Sequence, residues 1–129
     1  MYHWDLPQRL QELGGWSNSE LIDVFTDYAR VLLEQFGDRV KYWTTFNEPW
    51  HVCEHGYGVD FMAPALNYPG IPSYMCGHNL LKAHAQVYHM YKNKFRHQNG
   101  KIISDTRLNS DKQQTLFIIF IINLKYNRY

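Results

Sequence analysis

The sequence has little of several things, and each shortage removes a class of protein. Its longest uninterrupted apolar run, Leu116-Phe117-Ile118-Ile119-Phe120-Ile121-Ile122, is far short of the roughly 20 residues that a membrane-spanning helix needs. Charge of one sign is lacking too. Thirteen Lys and Arg against 12 Asp and Glu leave a formal charge of +1, which gives no electrostatic footprint for nucleic acid or for an anionic membrane. Cysteine is scarce. Cys53 and Cys76 are too few for a disulfide scaffold and form no C-x-x-C, so two buried thiols is the simplest reading. No N-x-[ST] acceptor occurs, and Tyr2-His3-Trp4-Asp5 directly after Met1 reads as no secretory leader. Seven histidines are present, yet none forms H-E-x-x-H. His51 and His55 are four apart, while His78, His84 and His89 spread over different faces of a helical pattern. Neither a metal site nor a cofactor is expected.

Aromatics, by contrast, are abundant at 16% of 129 residues, with ten Tyr, seven Phe and four Trp. Such side chains suit cores, and also pockets for flat apolar ligand faces such as sugar rings. With 45% hydrophobic and 19% charged residues, the chain has the size and balance of one small globular domain.

Periodicity orders the elements. Residues 1–4 read as the end of a strand. Asp5-Leu6-Pro7-Gln8 then has the form of a capping box for a short helix edged by Leu6, Leu10 and Leu13 and ended by Gly14-Gly15. Ser17 and Glu20 stand at capping-box spacing before a longer helix. There Leu21, Phe25, Ala29, Leu32 or Leu33, and Phe36 recur at three- and four-residue steps, with Gly37 as C-cap. Residues 39–46, rich in aromatic and β-branched side chains, read as a strand. Residues 50–72 carry three glycines and three prolines and read as a long binding loop. A second helix is predicted over 73–95, with Leu80, Leu81, His84, Val87, Tyr88 and Tyr91 inward. Lys101-Ile102-Ile103-Ser104 reads as a further strand. Alternating β and α elements imply parallel crossovers and an α/β fold.

The candidate site is Asn47-Glu48-Pro49. An amide and a carboxylate end the central strand, and Pro49, with no N–H, stops the ladder and biases Glu48 away from helical geometry. The C-terminal mouth of a strand is where α/β barrels hold their chemistry. The bland alternative is a pair of ordinary strand-end turn residues.

Five motifs in order tip that balance: Tyr2-His3-Trp4-Asp5-Leu6-Pro7-Gln8, Gly14-Gly15-Trp16, Phe36-Gly37-Asp38-Arg39-Val40-Lys41, Thr45-Phe46-Asn47-Glu48-Pro49 and His78-Asn79-Leu80-Leu81-Lys82-Ala83-His84-Ala85. Together they resemble glycoside hydrolase family 1, the β-glucosidase family that also holds myrosinases, lactase and klotho-type proteins. The stretch from Glu48 to Gly58 is most similar to arthropod β-glucosidase or myrosinase-like members. The resemblance implies a fragment of a (β/α)₈ TIM barrel around strands three to five, with residues 1–104 the partial barrel and 105–129 a divergent apolar tail. It further implies that Glu48 is the acid/base of a retaining O-glycosyl hydrolase and that Asn47 holds the sugar 2-hydroxyl. His3 binds glycone hydroxyls by the same resemblance, with Trp4 beside it at the pocket wall. Trp50 and Tyr57 are candidates to border the aglycone, whereas Trp16 and Trp43 read as packing residues.

Retaining hydrolysis needs two carboxyl groups, one to protonate the leaving group and one about 5–5.5 Å away to attack the anomeric carbon. The family's nucleophile lies in a Thr-Glu-Asn-Gly motif, which this sequence lacks. Glu12, Glu20 and Glu34 fall in helical patterns and Glu54 in the loop. The expected product is therefore a fragment with the acid but without the nucleophile, inactive alone, whose loss of resemblance after residue 104 suggests a truncated or mispredicted reading frame. Its expected partner is a β-glycoside, with no nucleic acid and no membrane. Family members are secreted or cytosolic, so the resemblance leaves the compartment open. The competing readings are a non-catalytic barrel relative that binds a sugar or a protein, and a product too incomplete to fold stably.

Overall fold

The computed structural model describes residues 1–68 and 70–105; the apolar run at 116–122 lies outside them. The β-branched and aromatic residues before Pro49 form β1 (Tyr42–Asn47), the middle of three parallel segments. On one edge Tyr2 pairs with Phe46, donating its N–H to the Thr45 carbonyl at 2.9 Å and accepting from the Asn47 N–H at 3.1 Å. On the other edge runs β2 (Lys101–Asp105), with Tyr42, Trp43 and Thr44 opposite Lys101, Ile102 and Ile103. The expected strand end at residues 1–4 and the expected strand at 101–104 are thus both present, and the connections are the parallel crossovers that alternating elements require.

Helices pack on this small sheet. The first is α1 (Gln8–Glu12), followed by a 3₁₀ turn, Gly15–Ser17, and by α2 (Leu21–Phe36). On α2 the predicted stripe holds for Leu21, Phe25, Ala29 and Leu33, all buried, with Ile22 beside them; Phe36 is exposed. Phe25 stacks on Phe46 of β1 at 4.4 Å between ring centroids, and Trp16 meets Phe46 edge-on at 5.2 Å. These rings join α2 to the strand that ends in the site. Trp16 and Trp43 are both buried in the core, as packing residues should be.

Neither capping box forms. Pro7 occupies the α1 cap position without a side-chain bond, and the Asp5 carboxylate instead accepts from the His3 N–H at 3.2 Å. Before α2, the side-chain oxygen of Asn18 accepts from the Glu20 N–H, while Ser17 donates to the Pro72 carbonyl. The 3₁₀ turn shifts the helix start to Leu21, so the local spacing of Ser17 and Glu20 no longer matches a cap. Gly37 does close α2, but in right-handed geometry, donating to the Leu33 carbonyl.

Residues 50–72 depart further from expectation. Their first half is helical: α3 (Pro49–His51) runs directly into a π-helical stretch, Val52–Gly58. Gly56 and Gly58, read as loop markers, are buried packing positions here, since a Cβ on Gly56 would meet the Ala63 carbonyl at 2.8 Å. Among the described residues of this stretch, 59–68 and 70 remain irregular. The two cysteines also depart from the simplest reading. They are not free thiols but a disulfide, Cys53–Cys76, joining the π-helical stretch to α4 (Ile71–Met90).

Helix α4 continues through a π-helical turn, Tyr91–Phe95, so helix covers the predicted span and two residues more at the start. Its buried stripe is Cys76, Asn79, Leu80, Ala83, Val87, Tyr91 and Phe95; Leu81 and His84 are half-buried and Tyr88 is exposed. The stripe is rotated because α4 packs on α2, on the 3₁₀ turn and on the π-helical stretch as well as on β1. Asn79, buried, donates to the Trp16 carbonyl at 2.8 Å. No helix among the described residues is long and apolar enough to cross a membrane.

Candidate active site

The site begins with an irregularity in β1. Thr44 lies opposite Ile103 but Asn47 lies opposite Asp105, so β1 carries one residue more than β2 over this step. Such bulges bend a strand and re-aim the side chains beyond them. The usual alternation is broken accordingly: Thr45 and Phe46, consecutive residues, are both buried. Thr45 faces α4, its hydroxyl 2.9 Å from His84 Nδ1 and also donating to the Ile103 carbonyl at 3.3 Å. Phe46 faces α2. Asn47 and Glu48 then emerge half-buried at the C-terminal end of the strand.

Glu48 sits in the left-handed region, φ 43° and ψ 61°. For a residue with a Cβ this costs about 1–3 kcal/mol and persists only where neighbours fix it. Pro49 follows directly and cannot extend the strand. The next turn closes on Glu48, whose carbonyl accepts from the Val52 N–H at 3.2 Å. The expected bias of Glu48 away from helical geometry is thus realised as a left-handed turn between β1 and α3. Its carboxylate Oε2 is 3.7 Å from His51 Nδ1, with the two side chains 30% and 21% exposed. That is beyond hydrogen-bond reach but within ion-pair range when the imidazole is protonated.

Trp4 is brought to the same place. Its indole N–H donates to the Asn47 carbonyl at 3.1 Å, and its backbone is also left-handed, φ 72°. His3 lies edge-on to Trp4 at 5.7 Å between ring centroids and is exposed. All four residues singled out from the sequence (His3, Trp4, Asn47 and Glu48) therefore gather at the C-terminal ends of two adjacent parallel strands.

The aglycone candidates separate. Trp50 is half-buried and meets His51 at 5.0 Å and His55 at 5.1 Å, both edge-on, so it stays beside Glu48. Tyr57 does not. It is 1% exposed, its hydroxyl accepting from the Trp16 N–H and donating to Gln11 Oε1, each at 2.8 Å. Burial pushes its phenol up to about 12, and it is a structural tie between helix layers. His51 and His55, which the sequence pairs by spacing alone, meet edge-on at 5.0 Å between ring centroids and with Trp50 form an aromatic-imidazole group that no motif marks. Among the described residues no group of three or more His, Cys, Asp or Glu is placed to hold a metal ion.

The other glutamates lie elsewhere. Glu12 is on α1 and Glu34 on α2, with Glu20 at the α2 cap. Glu54 folds back along its own helical stretch, where a Cβ on Gly58 would be 3.1 Å from its carboxyl carbon. A cavity of about 280 Å³ opens between α1 and α2, lined by Tyr2, Leu6, Leu10, Trp16, Phe25 and Tyr28 among others. Its wall is mostly apolar, although Asp5 joins it, and it holds none of the four candidate residues.

Comparison with known proteins gives the family and the barrel from which these elements come. The family model described as glycosyl hydrolase family 1 matches residues 1–114. Myrosinase 1 of Brevicoryne brassicae is 54% identical over 103 residues, covering 79% of this chain and 22% of that protein. Among solved structures, aphid myrosinase superposes with a TM-score of 0.78 at 47% identity, covering 88% of this chain and 26% of that one. A family 1 β-glucosidase from Thermotoga maritima superposes at 0.73 with 46% identity, covering 79% and 23%. The chain spans between 6% and 26% of the lengths of such relatives. The barrel of the structural relatives accounts for the strand order: three parallel segments with helices outside are part of a (β/α)₈ barrel.

Proposed function

The chain belongs to glycosyl hydrolase family 1, and from that premise we propose that it carries the acid/base half of a retaining β-glycosidase site. Glu48 is the acid/base. It donates a proton to the glycosidic oxygen as the leaving group departs, then accepts one from the water that completes hydrolysis. Asn47 holds the sugar 2-hydroxyl, a contact that strengthens as positive charge develops at the anomeric carbon. His3 binds glycone hydroxyls, and Trp4, anchored on the Asn47 carbonyl, forms the wall beside them. Trp50 borders the aglycone.

The observation that carries this reading is the strand end itself. The bulge in β1 and the left-handed backbone at Glu48 aim an amide and a carboxylate outward at the position where barrel enzymes place their chemistry, and Trp4 converges on the same point. No second glutamate of the sequence joins Glu48 at this mouth, since the other four lie on α1, at or on α2, or along the π-helical stretch, and the nucleophilic carboxylate of this reading belongs to another part of a complete barrel. The substrate class is a β-glycoside, the sugar-bearing class on which relatives described as β-glucosidase and myrosinase act.

The 129-residue chain alone is expected to release no chromophore from an aryl β-glucoside, at any enzyme concentration that keeps it soluble. Turnover that disappears in Glu48→Gln would contradict the half-site reading. Saturable glucose binding without turnover, abolished by His3→Ala, is compatible with it.

A further inference from the structure

We propose that the Cys53–Cys76 disulfide is a maturation clamp, formed in an oxidising compartment, that fixes the turn carrying Glu48. The bond joins Cys53 to Cys76 across 23 residues of sequence. Their Cα atoms are 5.5 Å apart, inside the range that disulfides occupy. Cys53 is 5% and Cys76 0% exposed. A buried bond of this kind is out of reach of exchanging thiols, which marks a structural bridge rather than a cycling one. Stable bridges of that kind belong to oxidising compartments, because the cytosolic thiol pool keeps cysteines reduced.

Its position gives the bond its role. Cys53 lies five residues beyond Glu48, within the π-helical stretch whose preceding turn closes on the Glu48 carbonyl. Cys76 lies on α4, which is itself tied to β1 through His84 and Thr45 and to the Trp16 turn through Asn79. The bridge therefore links the segment after Glu48 to a helix already docked on the strand before it. A left-handed glutamate requires such fixing from both sides. Tyr57 holds the far end of the same stretch on Gln11 and Trp16; the disulfide holds its middle.

Formation balances as a thiol–disulfide exchange. The Cys53 and Cys76 thiols give up two protons and two electrons to a disulfide oxidant such as glutathione disulfide, which leaves as two thiols. The inference rests on Glu48 as the acid/base only for its consequence, because its test reads bond and backbone and uses no glycosidase assay.

The test equilibrates the full chain in a glutathione buffer poised as in the secretory pathway, then alkylates it in denaturant without reductant. The expected result is an intact mass lacking two hydrogens, no alkyl adduct, and a cross-linked Cys53–Cys76 peptide; two alkylated thiols overturn the proposal. Amide hydrogen exchange is then compared with Cys53→Ser/Cys76→Ser. Protection is expected to fall at least tenfold across 49–58 while α2 keeps its own; unchanged protection at 49–58 overturns the clamp. Should the serine pair fail to fold, Cys53→Ala/Cys76→Ala keeps the apolar burial and is read in its place. Loss of α2 protection in that variant also overturns the clamp, because the bond would then support the whole fold rather than one turn.

Discussion

At the scale of single residues, Glu48 combines two properties that pull against each other. Its side chain is the acid/base of the proposed function, while its backbone occupies a region that suits glycine. The two can be separated by comparing substitutions that both delete the carboxylate. Glu48→Gly is expected to be more stable than Glu48→Ala by about 1 kcal/mol, because only the alanine keeps the left-handed clash of its Cβ. Urea unfolding of the pair reads this difference directly, and equal midpoints would show that the turn relaxes. His84 offers a second residue-scale test. Burial holds its imidazole below its ordinary range, so the neutral form is favoured in the folded chain. A base with a lowered folded-state pKa contributes stability that is complete above its unfolded value, about 6.5. That contribution is lost as pH falls from there through the folded value, where the imidazole charges against burial. His84→Gln is expected to flatten part of the decline in melting temperature between pH 7.5 and 5.5; identical slopes would remove His84 from the account.

At the scale of elements, the sequence was legible where side-chain period decided structure and illegible where distant packing did. Helix α2 follows from Leu21, Phe25, Ala29 and Leu33 at helical steps, and β1 from its aromatic and β-branched run before Pro49. That His3, Trp4, Asn47 and Glu48 share one strand mouth was legible because their motifs stand at strand ends. The helical stretch after Pro49 was not. Glycines such as Gly56 and Gly58 usually mark turns, but here they are buried, with the Ala63 carbonyl and the Pro64 ring against Gly56 and the Glu54 carboxylate against Gly58. The disulfide was hidden for a similar reason. Twenty-three residues separate Cys53 from Cys76, and their meeting depends on α4 docking against that unforeseen helical stretch. Nothing in its local sequence marks Tyr57 as a packing residue, because its hydroxyl joins Trp16 to Gln11 over 41 and 46 residues of sequence. The bulge at residues 44–47 has no local marker either, since the extra residue shows only against the register of β2.

At the scale of the whole molecule, the chain is part of a (β/α)₈ barrel that carries one mouth of two adjacent strands. It spans about a quarter or less of its relatives' length, and the acid/base reading predicts what happens when the rest of a barrel surrounds it. The decisive measurement grafts residues 1–105 in place of the matching segment of the Thermotoga maritima β-glucosidase and compares two aryl β-glucosides, one with a good leaving group and one with a poor one. The graft is expected to hydrolyse both. Glu48→Gln in the graft should lose about 10²–10⁴-fold on the poor leaving group, which needs the proton, and far less on the good one, which does not. Equal losses on both substrates, or no loss on either, would contradict Glu48 as the acid/base.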